Sequence, residues 1–319
     1  MNTIFKEKSL KTNWESYMDE LTPWENHNGV WFKREDYYAP LGYGGPNGAK
    51  LRQLQHLFKE YRGNARYVVT GASVLSPQHS MTGILSAYYG LPSYHVIGAT
   101  NPASSLKHPN IRVARGFGAH FDYINVAYNP ALQKRVGEIT RDDAFVVPYG
   151  ITVDHKAHPE RLTAFHNVGA RQVDNIPDDV QVLIIPAGSC NSITSVLLGL
   201  ARNPHNVKTV FAVGIGPDKR EWVRERMALM GYPLESLPFK LKDYSLHKNG
   251  VKYSDRVIDS FDGINFHPNY EGKVIRYLKQ QGAFDDADGQ IGFWIIGSEP
   301  KLSVIEPHFT HPIQEDIIL

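Results

Sequence analysis

Cysteine is almost absent from this chain of 319 residues: Cys190 stands alone. An internal disulfide is therefore excluded, and the sequence suits a reducing compartment. No apolar run is long enough to cross a bilayer. Met1 to Trp14 is polar and lysine-bearing, without the apolar stretch of a secretory signal. Charge of one sign is lacking too, since 34 Lys and Arg against 33 Asp and Glu leave a formal net charge of +1. That balance argues against a globally basic nucleic-acid binder. Internal repeats and low-complexity tracts are also missing, which sets aside solenoids and fibrous folds. The expectation is a soluble cytoplasmic protein with no membrane segment, long enough for one large domain or two ordinary ones.

What is present is alternation. Leu51, Leu54, Leu57, Phe58 and Tyr61 recur at helical spacing until Gly63 stops the run. Short apolar strands follow at Tyr67 to Thr70, Tyr94 to Ile97, Phe121 to Ile124 and Phe145 to Val147, with helical stretches between them. The second half continues with apolar strands at Val182 to Ile185, Val210 to Val213 and Phe293 to Ile296, and helices at Ile193 to Ala201 and Lys219 to Met230. Strand and helix in turn imply βα units around parallel sheets, because parallel neighbours need a crossover. Continuous apolar strands imply helices on both faces. Pro238 to Asp262 reads as the least regular stretch, with lysines, Arg256, Tyr244 and Tyr253 interleaved.

Three segments carry chemistry. Lys50 lies just behind the glycine-rich turn Gly44-Gly45-Pro46-Asn47-Gly48, at the start of a helix. A partly dehydrated lysine there is a neutral amine able to form a Schiff base with an aldehyde cofactor; a solvated lysine is the alternative. Gly188-Ser189-Cys190-Asn191-Ser192 joins a strand to a helix, so its backbone amides and the helix's positive end can hold a phosphate. An ordinary βα turn capped by Ser and Asn is the competing account. In His267-Pro268-Asn269-Tyr270-Glu271-Gly272-Lys273, Glu271 can either keep a heterocyclic nitrogen protonated or complement a helix dipole. The close pairs His155 with His158 and His308 with His311 lack the further ligands of a zinc site and read as surface-loop histidines. Cys190 reads as a small loop filler rather than as a nucleophile.

Together these segments resemble the fold-type-II pyridoxal-phosphate (PLP) enzymes, nearest the aminocyclopropane-carboxylate (ACC) deaminase and D-cysteine desulfhydrase group. Trp31-Phe32-Lys33-Arg34-Glu35-Asp36 is similar to that group's strand ending in Lys-Arg-Glu-Asp. Leu41-Gly42-Tyr43-Gly44-Gly45 with Lys50-Leu51-Arg52 resembles its glycine turn and Lys-x-Arg. Ser76-Pro77-Gln78 stands at its substrate loop, and Asn269-Tyr270-Glu271-Gly272-Lys273 is similar to Val-Tyr-Glu-Gly-Lys. The matches keep their order from about Thr22 to about Gly297.

The resemblance implies a two-domain α/β protein, with residues 1–50 plus 161–319 as the large PLP-binding domain and 51–160 as a small inserted one. It implies that Lys50 carries the cofactor and moves the proton at Cα. Gly188, Ser189, Cys190, Asn191 and Ser192 would cradle the phosphate, and Glu271 would hold the ring nitrogen. Tyr270 and Ser76 would act beside the substrate, with Ser76, Gln78 and His79 as its binding residues, and a homodimer is expected. Departures cluster on the substrate side: Pro77 replaces Asn, Cys190 and Asn191 replace two glycines, and Ile295-Ile296-Gly297-Ser298 differs from the usual late strand end. The expected activity is thus a PLP-dependent lyase working through a Cα carbanion, best read as decarboxylation of an amino acid attached to modified thymidine in phage DNA. The alternatives are a deaminase or desulfhydrase of a small free amino acid, and a cofactor-free binding protein on the same fold. On the first reading the basic and aromatic residues from Lys240 to Arg256 would track a phosphate backbone.

Overall fold

A computed structural model describes residues 17–40, 42, 44–99, 101–126, 128–285, 290–311 and 313. The leader region read above and Leu41 and Tyr43 of the glycine turn lie outside the described residues. The described chain opens with a hairpin, β1 (Trp24–His27) and β2 (Val30–Arg34). Asn28 and Gly29 turn it with φ of 48° and 81°, the left-handed pair that matches strand twist in two-residue hairpins.

After α1 (Ala49–Tyr61) come β3 (Tyr67–Ala72), α2 (Gln78–Tyr88), β4 (Ser93–Gly98), a one-turn α3 (Pro102–Ser105), α4 (Pro109–Gly116), β5 (His120–Ile124), α5 (Asn129–Ile139) and β6 (Ala144–Val147). These strands form a parallel sheet in the order β5-β4-β3-β6. The chain continues through α6 (Pro159–Ala170), β7 (Val182–Ala187), α7 (Asn191–Arg202), β8 (Thr209–Gly214), α8 (Arg220–Leu229) and β9 (Lys240–Ser245). A small hairpin of β10 (Ser260–Phe261) and β11 (Ile264–Asn265) precedes α9 (Glu271–Gln280), β12 (Ile291–Ile295) and α10 (Leu302–Ile305). The second sheet runs β1-β2-β12-β7-β8-β9 and is parallel except for the opening hairpin. It draws on both ends of the chain, while the four-stranded sheet is made from the middle.

Side chains explain the layering. Leu183 and Ile185 enter one apolar cluster with Val196, Leu197 and Trp294, whereas Ile184 enters another with Phe32, Val213, Val274 and Phe293. Successive residues of β7 thus bury on opposite faces, which a continuous apolar strand requires. The helical spacing from Leu51 also holds: Leu51, Leu54, Leu57 and Phe58 bury with Val68, Ile84 and Phe165 under the four-stranded sheet. The stretch read as least regular contains β9, the edge strand. Its exposed Lys240 and Lys242 obscure a strand pattern, as charges do on edges that must not pair further.

Candidate active site

Two elements fix Lys50. Gly48 has φ +90°, and a Cβ there would lie 2.3 Å from the Ile296 carbonyl oxygen, so the turn accepts only glycine. The Ala49 N–H donates to that same carbonyl at 2.9 Å. The start of α1 is thereby pinned to the exit of β12, and Lys50 lines the cleft there. Its side chain is half-buried, with no hydrogen-bond or ion-pair partner among the described residues. Burial, reinforced by the charge of Lys219, lowers its ammonium to about 8.

The cleft holds about 560 Å³ of empty space, open to solvent. Gly188, Ser189, Cys190 and Ser192 line one side, leading into the first turn of α7. Cys190 adopts φ +67°, the left-handed conformation that glycine takes most easily. Asn191 is also in this turn, but its side chain is turned away and donates to the carbonyls of Gly150 and Ile151 at 2.9 and 2.7 Å. Its N–H remains part of the helix terminus. The Cys190 thiol is pushed up to about 11 by burial and so stays protonated, in keeping with a filler rather than a nucleophile.

Tyr270 and Glu271 line the cleft as well. Glu271 is 1% exposed and accepts the Ile296 N–H through Oε1 at 2.8 Å, while Oε2 has no partner. Burial raises its carboxyl to about 8. Gly272 lets α9 begin there, since a Cβ would meet the Val257 carbonyl oxygen at 2.1 Å. The Tyr270 hydroxyl pairs with that of Tyr253 at 2.5 Å. His267 also lines the cleft, with its ring edge-on to Tyr270. Sequence reasoning quoted this histidine but gave it no role.

Ser76, Gln78 and His79 do not line the cleft; Pro77 and Met81 stand there from the same segment. The Ser76 hydroxyl accepts the Gln78 N–H at 3.2 Å. Gln78 spans from Thr70 and the Pro148 carbonyl to the Gly150 N–H, at 2.7, 3.1 and 2.9 Å. His79 is fully buried, with ring nitrogens against His95 and the Ala72 carbonyl at 3.1 Å each. Sequence order placed these residues beside a ligand, whereas Ser76 turns back on the start of α2 and helical geometry sends the neighbouring Gln78 and His79 side chains in different directions. Gln78 and Asn191 instead grip the same Gly150-Ile151 turn from two sides.

The Lys-Arg-Glu-Asp segment proves to be scaffold. Lys33 donates to the Thr22 carbonyl and Asn175, Arg34 forks Asp36, and Arg52 is buried between Tyr38 and the carbonyls of Met18 and Glu20. In the Lys240 to Arg256 run, Lys248 pairs with Asp218, Arg256 forks Glu299 at 2.8 and 3.0 Å, and Tyr253 faces Tyr270. His155 is buried against Glu225 at 2.9 Å, not on the surface as read from sequence. No group of three metal-ligating side chains occurs among the described residues.

An amine without a partner, a glycine–serine turn at a helix N-terminus and a buried carboxylate oxygen left unpaired are three demands met by one ligand type: an aldehyde with a phosphate and a ring nitrogen. PLP fits them. Fold and cleft together define a fold-type-II PLP enzyme. Among solved structures, an ACC deaminase homologue superposes with TM-score 0.66 at 20% identity, covering 89% of this chain and 91% of that one. The processed form of threonine deaminase isoform 2 from Solanum lycopersicum gives 0.56 at 13% identity, covering 93% and 91%. No protein-family model matches. The O-seryl-dTMP PLP-dependent decarboxylase of Salmonella phage ViI is 34% identical across 98% of this chain and 91% of its own length. The chain belongs to the same family as that phage decarboxylase.

Proposed function

We propose that this protein is a PLP-dependent decarboxylase that removes the carboxylate of a seryl group attached to a thymidine nucleotide. The observation that carries the reading is identity of 34% over nearly the whole chain with a phage enzyme of that activity. The cleft supports it by bringing Lys50, Gly188, Ser189, Cys190, Ser192 and Glu271 together. Bound PLP supplies an aldehyde for the substrate amine and a ring that takes up the electron pair left on Cα. Lys50 would hold the aldehyde, and its Nζ would be the group placed to deliver a proton at Cα. Ser189, Ser192 and the amides from Gly188 to Ser192 hold the phosphate, with α7 adding its positive end. Glu271 Oε2 accepts from the ring nitrogen and keeps it cationic. Tyr270, oriented by Tyr253, contacts the substrate. Ser76 acts only by shaping the loop that presents Pro77.

The sheets support a division into residues 1–50 plus 161–319 and an inserted 51–160; a homodimer is proposed as the assembly. No described helix is long and apolar enough to cross a membrane, and the reading places the enzyme in the cytoplasm of an infected host. The decisive assay incubates purified protein with DNA bearing seryl-thymidine and analyses the released nucleosides. An amine-bearing nucleoside lighter by carbon dioxide is expected, and Lys50→Ala should abolish it. Ammonia with a keto product would instead establish the deaminase alternative.

A further inference from the structure

His267 carries an unmet hydrogen-bonding demand in the cleft. It is 4% exposed, and its Nδ1 accepts the Asn269 N–H at 3.2 Å. An accepting Nδ1 fixes the neutral tautomer, so the ring's proton sits on Nε2. Nε2 is buried and has no partner, a state that costs free energy unless a ligand completes it. The ring stays neutral: burial lowers it to about 3, and Glu299, the carboxylate acting on it, is forked by Arg256.

Asn47 and Ser298, also in the lining, bond each other, and the function proposed above takes up the remaining polar groups. Lys50 serves the aldehyde, the Gly188–Ser192 turn the phosphate, and Glu271 the ring nitrogen, while the Tyr270 hydroxyl is paired with Tyr253. The seryl part of the substrate brings one further charged group, its α-carboxylate. Arginine is the usual carboxylate clamp, yet no arginine lines this cleft among the described residues. Resting on the function proposed above, we infer that His267 binds the substrate's α-carboxylate, donating from Nε2–H. A neutral donor suits a carboxylate that must leave. A guanidinium would stabilise the ionised ground state, and that stabilisation is lost as the charge moves into the ring. An imidazole N–H orients the group while holding it less tightly.

The test uses holoenzyme and two ligands, O-seryl-dTMP and its decarboxylated amine, with affinity read from the fast cofactor absorbance change that precedes turnover. His267→Phe should weaken the seryl ligand roughly ten- to a hundredfold, the loss of a hydrogen bond to a charged group, and leave the amine's affinity unchanged. The retained amine affinity shows that the fold is intact. His267→Gln, which keeps a donor, should hold the seryl ligand within about threefold of wild type. Equal losses for both ligands in either variant, or no loss in His267→Phe, would overturn the assignment. Wild-type holoenzyme that turns over no seryl substrate would sink the functional reading itself, and this inference with it.

Discussion

Replacing Glu271 by Gln tests the cofactor reading without needing a substrate. Burial raises this carboxyl from 4.5 to about 8, against the opposing pull of the backbone N–H groups of Glu271, Ile296 and Gly297. The unfolded chain ionises near the lower value and the folded protein keeps its proton until the higher one. Between them the unfolded form has lost a proton that the folded form retains, so stability falls as pH rises. The contribution is complete below the lower value and gone above the upper. Each pH unit is worth about 1.36 kcal/mol, which bounds the whole interval at about 5 kcal/mol, with relaxation of the site reducing it. Gln has the same shape and does not titrate. Urea unfolding of the cofactor-free proteins across this window should show Glu271→Gln gaining on wild type by several kcal/mol as pH increases. Adding PLP should flatten the wild-type slope, because an ionised Glu271 then faces a cationic ring N–H. Parallel pH curves for the two cofactor-free proteins would refute the argument.

Two other substitutable features have defined consequences. Gly48→Ala places a methyl 2.3 Å from the Ile296 oxygen at φ +90°, and should cost at least about 3 kcal/mol in urea unfolding; wild-type stability would mean that this turn is not pinned to β12. Cys190, with its thiol at about 11, should react with iodoacetamide roughly a hundredfold more slowly in the folded protein than in urea at the same pH. Equal alkylation rates, read by mass spectrometry, would place the thiol in solvent.

The architecture was legible because it is written in periodicity. The strands around Val182, Val210 and Phe293 and the face from Leu51 to Phe58 follow from which side chains must leave water, and they appear within a few residues of their expected ends. Lys50, Gly188, Ser189, Cys190, Ser192 and Glu271, singled out as motifs, meet in one cleft, because groups set on backbone turns and helix starts leave local sequence marks. Strand β9 was hidden because its exposed lysines break the apolar pattern. Gln78, His79 and the Asn191 side chain were misplaced for another reason. Adjacency to a ligand loop says nothing about where a side chain points, and each of these is turned into the protein to satisfy buried backbone or a second ring.

The departure at Pro77 has a physical reading alongside that placement. Pro77 removes an amide and a side-chain donor from the cleft wall, and Met81 beside it is apolar. Gln78 and Asn191 meanwhile hold the Gly150-Ile151 turn, where Ile151 itself sits at φ +54°. The part of the cleft lining that Pro77 and Met81 supply is therefore apolar, with polar contacts behind it. With His267 as the neutral donor proposed above, such a lining holds an ionised carboxylate less tightly than an arginine clamp would. An enzyme that breaks the bond to the carboxylate gains from that difference, whereas a deaminase, which keeps the carboxylate, does not.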